Sequence, residues 1–177
     1  MRNRVRRLAV KKNILVVTCV IICFLLPLHT AFAVNYGAKA ALADDSITLE
    51  EALTYAIQDE YLAQARYDVI MGKFRVQQPF SRIKTAEAKH IAALERLFKI
   101  NDLSIPENNA SKFVQAPETL KEAYEMSIQA EKDNIAMYKK LSEIDGLPSN
   151  AKQVMTNVSN ASKIHLATFE RGLQRIQ

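Results

Sequence analysis

A pair of histidines and a few glutamates are the residues of this 177-residue chain whose types and spacing suit metal binding. Glu87 precedes His90 by three positions. Side chains three apart lie on one face of a helix, so both can reach one ion. Glu60 and Glu131 each fall on the apolar stripe of a predicted helix, where an unpaired carboxylate is costly to bury. A divalent cation removes that cost, so this pattern predicts a metal site.

A weak internal repeat pairs these residues. Two stretches of eleven residues recur 71 and 75 positions later, with five identities each. The first recurrence aligns Glu60 with Glu131, and the second aligns His90 with His165. The chain therefore has the pattern of two copies of one helical hairpin, related by an approximate twofold axis.

The elements that must position these residues are predicted to be helices, which makes the fold all-α. Thr48 and Glu51 have the spacing of a capping box, which predicts a helix start. Only four glycines and five prolines are present, fewer than a β-sandwich or barrel needs. The predicted helices cover residues 48–72, 79–100, 117–145 and 148–176.

The connections predict how these helices are arranged. The first two helices and the last two are joined by short links, and short links make antiparallel neighbours. The middle link, residues 101–116, can extend to about 50 Å, whereas a helix of about 22 residues spans about 33 Å. We therefore predict a four-helix bundle of two antiparallel helical hairpins joined by a crossover loop.

The first 33 residues have the pattern of a secretory signal peptide. A basic start is followed by a 15-residue apolar run and by the small-x-small site Ala31-Phe32-Ala33. The run is shorter than the roughly 20 residues that span a bilayer. We expect cleavage near Ala33 and export to the periplasm or the cell exterior, with an uncleaved N-terminal membrane anchor as the alternative. Residues 34–46 are predicted to be a flexible lead-in to a bundle over 47–177.

Removal of residues 1–33 changes the charge of the chain. The full chain has 24 basic and 19 acidic residues and a net charge of +5, which by itself suggests an anionic partner. Six of the basic residues precede position 34, so the remainder has 18 against 19 and a net charge of −1. We therefore expect no nucleic-acid partner, and membrane contact only through the signal or anchor. Cys19 and Cys23 leave as well, so the mature protein would have no thiolate metal site.

The stretch from residue 51 to residue 99 resembles the first hairpin of rubrerythrin-type ferritin-like proteins. By that resemblance, Glu60, Glu87 and His90 would hold one iron. Glu131 and His165 would hold a second, with Glu87 bridging the two. The chain also resembles an exported branch of ferritin-like proteins that has Ser in place of the fourth-helix Glu. The residues that carry the likeness are Glu60, Arg66, Tyr67, Phe80, Ile83, Ala86, Glu87, Lys89, His90, Leu97, Phe98, Lys99, Glu131, Met137, Tyr138 and His165.

Two positions depart from the rubrerythrin pattern. Ser162 stands three residues before His165, where the pattern has a glutamate. Asn134 stands where rubrerythrins carry a further carboxylate, one turn after Glu131. The remaining ligands fit a mononuclear iron or manganese site, or an asymmetric di-iron pair, at least as well as a complete di-iron centre. Zinc also suits histidine and carboxylate ligands.

Tyr67 and Tyr138 each lie two turns after a candidate ligand. Three roles stay open for them: a hydrogen bond to the metal site, a radical trap, or packing in the core.

Three functions follow from this sequence. The first is an exported non-haem iron enzyme that reduces peroxide or O2 and takes electrons from an external donor. The second is a module that sequesters iron, manganese or zinc without turnover. The third is a structural or interaction bundle without metal, which Ser162 favours and the predicted burial of Glu60 and Glu131 disfavours. A homodimer is compatible with the sequence, which does not establish one.

Overall fold

A computed structural model of the protein describes residues 36–176. Over that range it contains five α-helices, one short 3-10 helix and no strand, so the all-α prediction is confirmed. The predicted signal peptide, cleavage site and anchor fall on residues 1–35, outside the described residues. None of the described helices is long and apolar enough to cross a membrane. The helices are α1 (Ala38–Ala43), α2 (Leu49–Phe74), α3 (Phe80–Ile100), the 3-10 helix (Ala110–Phe113), α4 (Leu120–Ser142) and α5 (Ser149–Gln174).

Side-chain caps fix where two of the long helices begin. The capping box predicted at the start of α2 is present, with Thr48 and Glu51 exchanging side-chain to backbone hydrogen bonds. The start of α4 lies three residues later than predicted from Pro117. The hydroxyl of Thr119 accepts the backbone N–H of Glu122 at 3.1 Å, and such a cap satisfies an amide that otherwise has no partner.

Contacts between the helices define the topology. Glu60 of α2 contacts Tyr138 of α4, whereas Tyr67, later in α2, contacts Glu131, earlier in α4. These two helices are therefore antiparallel. Helices α2 and α3 also form an antiparallel hairpin, because the link between them has only five residues. Since α3 and α4 both run opposite to α2, they run the same way, and their link crosses the length of the bundle as predicted.

The prediction of a flexible lead-in over residues 34–46 is wrong for α1. Ala38, Ala40 and Ala41 are buried there, and the small alanine side chains let the helix lie close against α2 and α4. The backbone N–H of Ala38 donates to Oδ1 of Asp59 at 2.9 Å. A long-range side-chain acceptor of this kind cannot be seen in local composition, which shows only small and polar residues.

A buried polar layer divides the apolar core into two clusters. Along α3, α4 and α5, core residues of one cluster precede this layer and those of the other follow it. The same order holds along α2, except that Tyr61 of the first cluster follows Glu60. The layer therefore sits at mid-height of the bundle, where all four helices can contribute side chains. Its buried members are Glu60, Glu87, Glu131, Asn134, Ser162 and His165.

Candidate metal centre

The polar layer contains two overlapping groups of three potential metal ligands. In the first, one donor atom from each of Glu60, Glu87 and His90 lies within 4.8 Å of the others. In the second, Glu87, Glu131 and His165 do the same. All five ligands predicted from the sequence are thus brought together, and Glu87 belongs to both groups.

Glu87 lies between the two histidines. Its Oε2 is 2.7 Å from Nδ1 of His90, and its Oε1 is 3.1 Å from Nδ1 of His165. The imidazole rings are stacked, with centroids 5.9 Å apart and planes inclined by 26°. Each carboxylate oxygen therefore faces one histidine, and Glu87 connects the two groups of potential ligands.

The two buried tyrosines hold the outer glutamates. Tyr138 donates to Oε1 of Glu60 at 2.7 Å, and Tyr67 donates to Oε1 of Glu131 at 2.8 Å. Each tyrosine thus bonds to the glutamate of the other hairpin. Burial raises the pKa of both phenols well above the usual value, so both remain neutral donors at physiological pH. Of the three roles left open by the sequence, hydrogen bonding to the site is the one these contacts support.

Ser162 and Asn134 occupy the positions where two carboxylates were expected. The Ser162 hydroxyl donates to Oδ1 of Asn134 at 2.7 Å. The Asn134 amide in turn donates to Oε1 of Glu60 at 3.2 Å and to Oδ2 of Asp59 at 2.8 Å. Neutral hydrogen-bonding groups therefore hold Oε1 of Glu60 on this side of the site, and its Oε2 lies 3.1 Å from Nδ1 of His90.

Asp59 is a member of the network that the sequence analysis missed. Burial raises its pKa to about 6, and its two oxygens bond to Ala38 and Asn134. The only sequence signal for Asp59 is its position next to Glu60. That position does not predict membership of the network, because neighbouring residues in a helix point about 100° apart. Asp59 therefore connects α1 to the amide that bonds Glu60.

Protons balance the buried negative charge of the carboxylates. Burial disfavours the charged form of both histidines, but the neighbouring carboxylates outweigh it. They raise the pKa of His90 to about 10 and that of His165 to about 9. Burial and the nearby Glu87 carboxylate raise the pKa of Glu60 to about 7. Burial acts in the same direction on Glu87, but the nearby imidazoles of His165 and His90 lower its pKa overall.

The donor set fits divalent metal ions. Nδ1 of His165 is buried and has no hydrogen bond of acceptable geometry, although carboxylate oxygens of Glu87 and Glu131 lie 3.1 and 3.6 Å away. This ring nitrogen and the two carboxylates beside it are all groups that bind divalent metal ions. Carboxylate and imidazole together suit iron, manganese and zinc. Beside the site, between α2 and α4, lies a cavity of about 10 Å³.

The chain is similar to a known protein family and to a solved structure. The family model described as Rubrerythrin matches residues 51–173. Among solved structures, a hypothetical protein from Methanococcus jannaschii DSM 2661 is similar, with a TM-score of 0.65 and 22% identity. The match covers 75% of this chain and 85% of that one, and at this identity it shows the fold alone. No curated protein matches the chain.

Proposed function

The chain belongs to the rubrerythrin family, and we propose that it binds two neighbouring iron or manganese ions in its polar layer. Glu60, Glu87 and His90 would hold one ion. Glu131 and His165 would hold the other, together with Glu87. Zinc fits the same ligands, so the metal found in the purified protein is the first thing to measure.

The position of Glu87 carries this proposal. A solvated Glu-x-x-His pair would leave the glutamate exposed and bonded to one histidine. Glu87 instead is 2% exposed and faces a different histidine with each oxygen. A buried carboxylate is retained at such a place when opposite charge surrounds it. Two bound cations would replace the protons now on the histidines.

We propose that the two positions bind metal with unequal strength. Both groups have two carboxylates and one histidine. They differ in how the outer glutamate is held, because Glu60 accepts hydrogen bonds from Tyr138 and Asn134, whereas Glu131 accepts one from Tyr67. The second group would have gained a glutamate at position 162, where this chain has serine. The His90 position would therefore fill first, and the His165 position second.

Metal content of matched variants tests the proposal. Glu87→Gln keeps the shape of the side chain but removes the charge shared by both groups, so it should lose both ions. His90→Ala should lose the tighter ion and His165→Ala the weaker one. Glu95→Gln, two turns further along α3 and outside both groups, is the control and should keep the wild-type content. Wild-type protein that binds no metal, or a Glu87→Gln variant that keeps both ions, would overturn the proposal.

We propose reduction of peroxide or O2 as the reaction at this site. Reduced iron or manganese would supply the electrons when bound. Tyr138 and Tyr67, held neutral by burial, keep Glu60 and Glu131 oriented and place a hydroxyl proton at each. The only cysteines of the chain precede position 34, so an external electron donor is required after signal-peptide removal. Peroxide consumption by the metal-loaded protein with a chemical reductant, compared with Glu87→Gln, tests turnover.

Metal sequestration without turnover is the second candidate. The hydrogen bond between Ser162 and Asn134 favours it, because it replaces carboxylates that would otherwise complete the site. In that case the protein would bind metal as described but would consume peroxide no faster than Glu87→Gln does.

We also propose that the protein acts outside the cytoplasm. The support is the basic start, the apolar run and the Ala31-Phe32-Ala33 site. Sequencing of the N-terminus of the mature protein would distinguish cleavage near residue 33 from a retained anchor.

A further inference from the structure

A groove between α3 and α5 is lined by positive charge. It consists of two adjoining cavities of about 540 and 440 Å³, which share Pro79, Arg82, Thr168 and Arg171 in their walls. Lys89 lines the first cavity and Arg175 the second. No aspartate or glutamate of the described residues lines either one.

The charge of this groove is local and does not follow from the composition. The chain without residues 1–33 has 18 basic and 19 acidic residues, so basic and acidic side chains are almost equally frequent. Arg82 and Lys89 are seven apart on α3, and Arg175, the residue that directly follows α5, is seven after Thr168. Residues seven apart lie two turns apart on one helix face, so each helix presents one stripe of the groove.

The cations of the groove have no acidic partner in the part of the chain that the structure describes. Among residues 36–176, no carboxylate lies within 4.0 Å of the charged nitrogens of Arg82, Lys89, Arg171 or Arg175. Arg171 instead donates to the hydroxyl of Thr168 at 3.1 Å, which orients its guanidinium within the wall. Like charges on facing helices repel unless an anion lies between them.

The groove leads to the metal centre. His165, one of the candidate ligands, forms part of the wall of the larger cavity. Lys89 also lines it and is the residue next to His90 in sequence. An anion in this groove would therefore lie beside His165 of the polar layer.

We propose that the groove between α3 and α5 is a binding site for a small multivalent oxyanion, such as a phosphate or a tricarboxylate. Guanidinium groups recognise planar or tetrahedral oxyanions through paired N–H donors, which a chloride ion cannot exploit. A volume of about 540 Å³ lies within the range of small-ligand sites. This site depends only on the residues of the groove and not on the proposed metal function.

Calorimetric titration tests the proposal. Pyrophosphate and citrate are titrated at constant ionic strength into the purified protein, both as isolated and after treatment with a chelator. The chelator removes bound metal, so binding of the anion to a metal is not counted. We expect one saturable site per chain, with binding weakened at least about tenfold in Arg82→Gln/Arg171→Gln. Arg82→Lys/Arg171→Lys keeps the charge and should weaken binding less.

Arg75→Gln/Arg96→Gln is the matched control. Both arginines are exposed, lie outside the groove and lack an acidic partner within 4.0 Å among the described residues. The control should bind within about twofold of wild type. Equal loss in both double variants would show a general charge effect and overturn the site. Absence of saturable binding, or binding only to vesicles of anionic lipid, would overturn it as well.

Discussion

The hydroxyl of Tyr138 donates a 2.7 Å hydrogen bond to Oε1 of Glu60, although the two residues lie 78 positions apart. Tyr67 makes the corresponding bond to Glu131 at 2.8 Å. The internal repeat aligns these pairs, so each hairpin supplies the donor that orients the other hairpin's glutamate. The two halves of the bundle are therefore linked through the carboxylates of the candidate site.

Removing either tyrosine hydroxyl should weaken one metal position. Tyr138→Phe takes a donor from Glu60, and we expect metal binding there to weaken by about 10–100-fold, the range seen when partners of ligands are removed. Stability of the metal-free protein should fall by about 1–3 kcal/mol, because a buried acceptor loses a partner. Competition with a fluorescent chelator measures the affinity. The control is Tyr55→Phe, because the hydroxyl of Tyr55 donates to Asp44 and not to a candidate ligand. This variant should leave the metal affinity unchanged.

Restoring a glutamate on α5 should strengthen the weaker position. Ser162 is 1% exposed, so Ser162→Glu introduces a larger, charged side chain into a packed layer. We expect the metal-free variant to lose about 1–3 kcal/mol of stability and the metal-loaded variant to bind its second ion more tightly. Metal titration followed by mass spectrometry checks this. If Ser162→Gln, of similar size, took up metal equally well, the added carboxylate would not be the cause.

Two glycines inside helices should respond in opposite directions to alanine. A Cβ at Gly172 would lie 2.3 Å from Cε1 of Tyr124, so Gly172→Ala must displace that ring and should cost about 1–3 kcal/mol. A Cβ at Gly72 would meet no atom within 4 Å, so Gly72→Ala should gain about 0.5–1 kcal/mol from helix propensity. Denaturant unfolding of both variants measures the difference. Equal effects would contradict the close packing of α5 against Tyr124.

Metal should stabilise the protein more as pH rises. Without metal, the folded pKa values of His90 and His165, about 10 and 9, lie above their unfolded values. Their contribution to stability is complete below about pH 6.5 and is lost as pH rises through those folded values. Metal needs the unprotonated Nδ1, so protons compete with it at low pH. The difference in Tm between loaded and metal-free protein should therefore grow from pH 6 to pH 8.5, and a constant difference would contradict proton competition.

The sequence was sufficient for features that follow from periodicity and spacing. The hairpins, the crossover and the capping box at Thr48 depend on local pattern and chain length, and all are present. The five candidate ligands meet because all of them occupy inward helix positions at one height of the bundle. Their grouping follows from helix geometry, whereas metal binding itself stays a prediction.

Long-range contacts were not accessible to the same reasoning. Asp59 bonds Ala38 and Asn134 because α1 lies against α2, and neither local pattern nor composition encodes that approach. The hydrogen bond from Tyr67 to Glu131 likewise depends on the relative height of α2 and α4 in the bundle, which the sequence pattern does not give. The start of α4 differs from the prediction because the cap at Thr119 outweighs the preference of Pro117 for the first turn of a helix.

Anomalous diffraction from crystals soaked in Mn²⁺ would locate the ions. We predict two peaks in the polar layer, one beside Glu60 and His90 and one beside Glu131 and His165, with Glu87 bound to both. Crystals of Glu87→Gln, soaked in the same way, should show neither. Peaks only at the protein surface, or peaks unchanged in Glu87→Gln, would contradict the assignment of this layer as a metal centre.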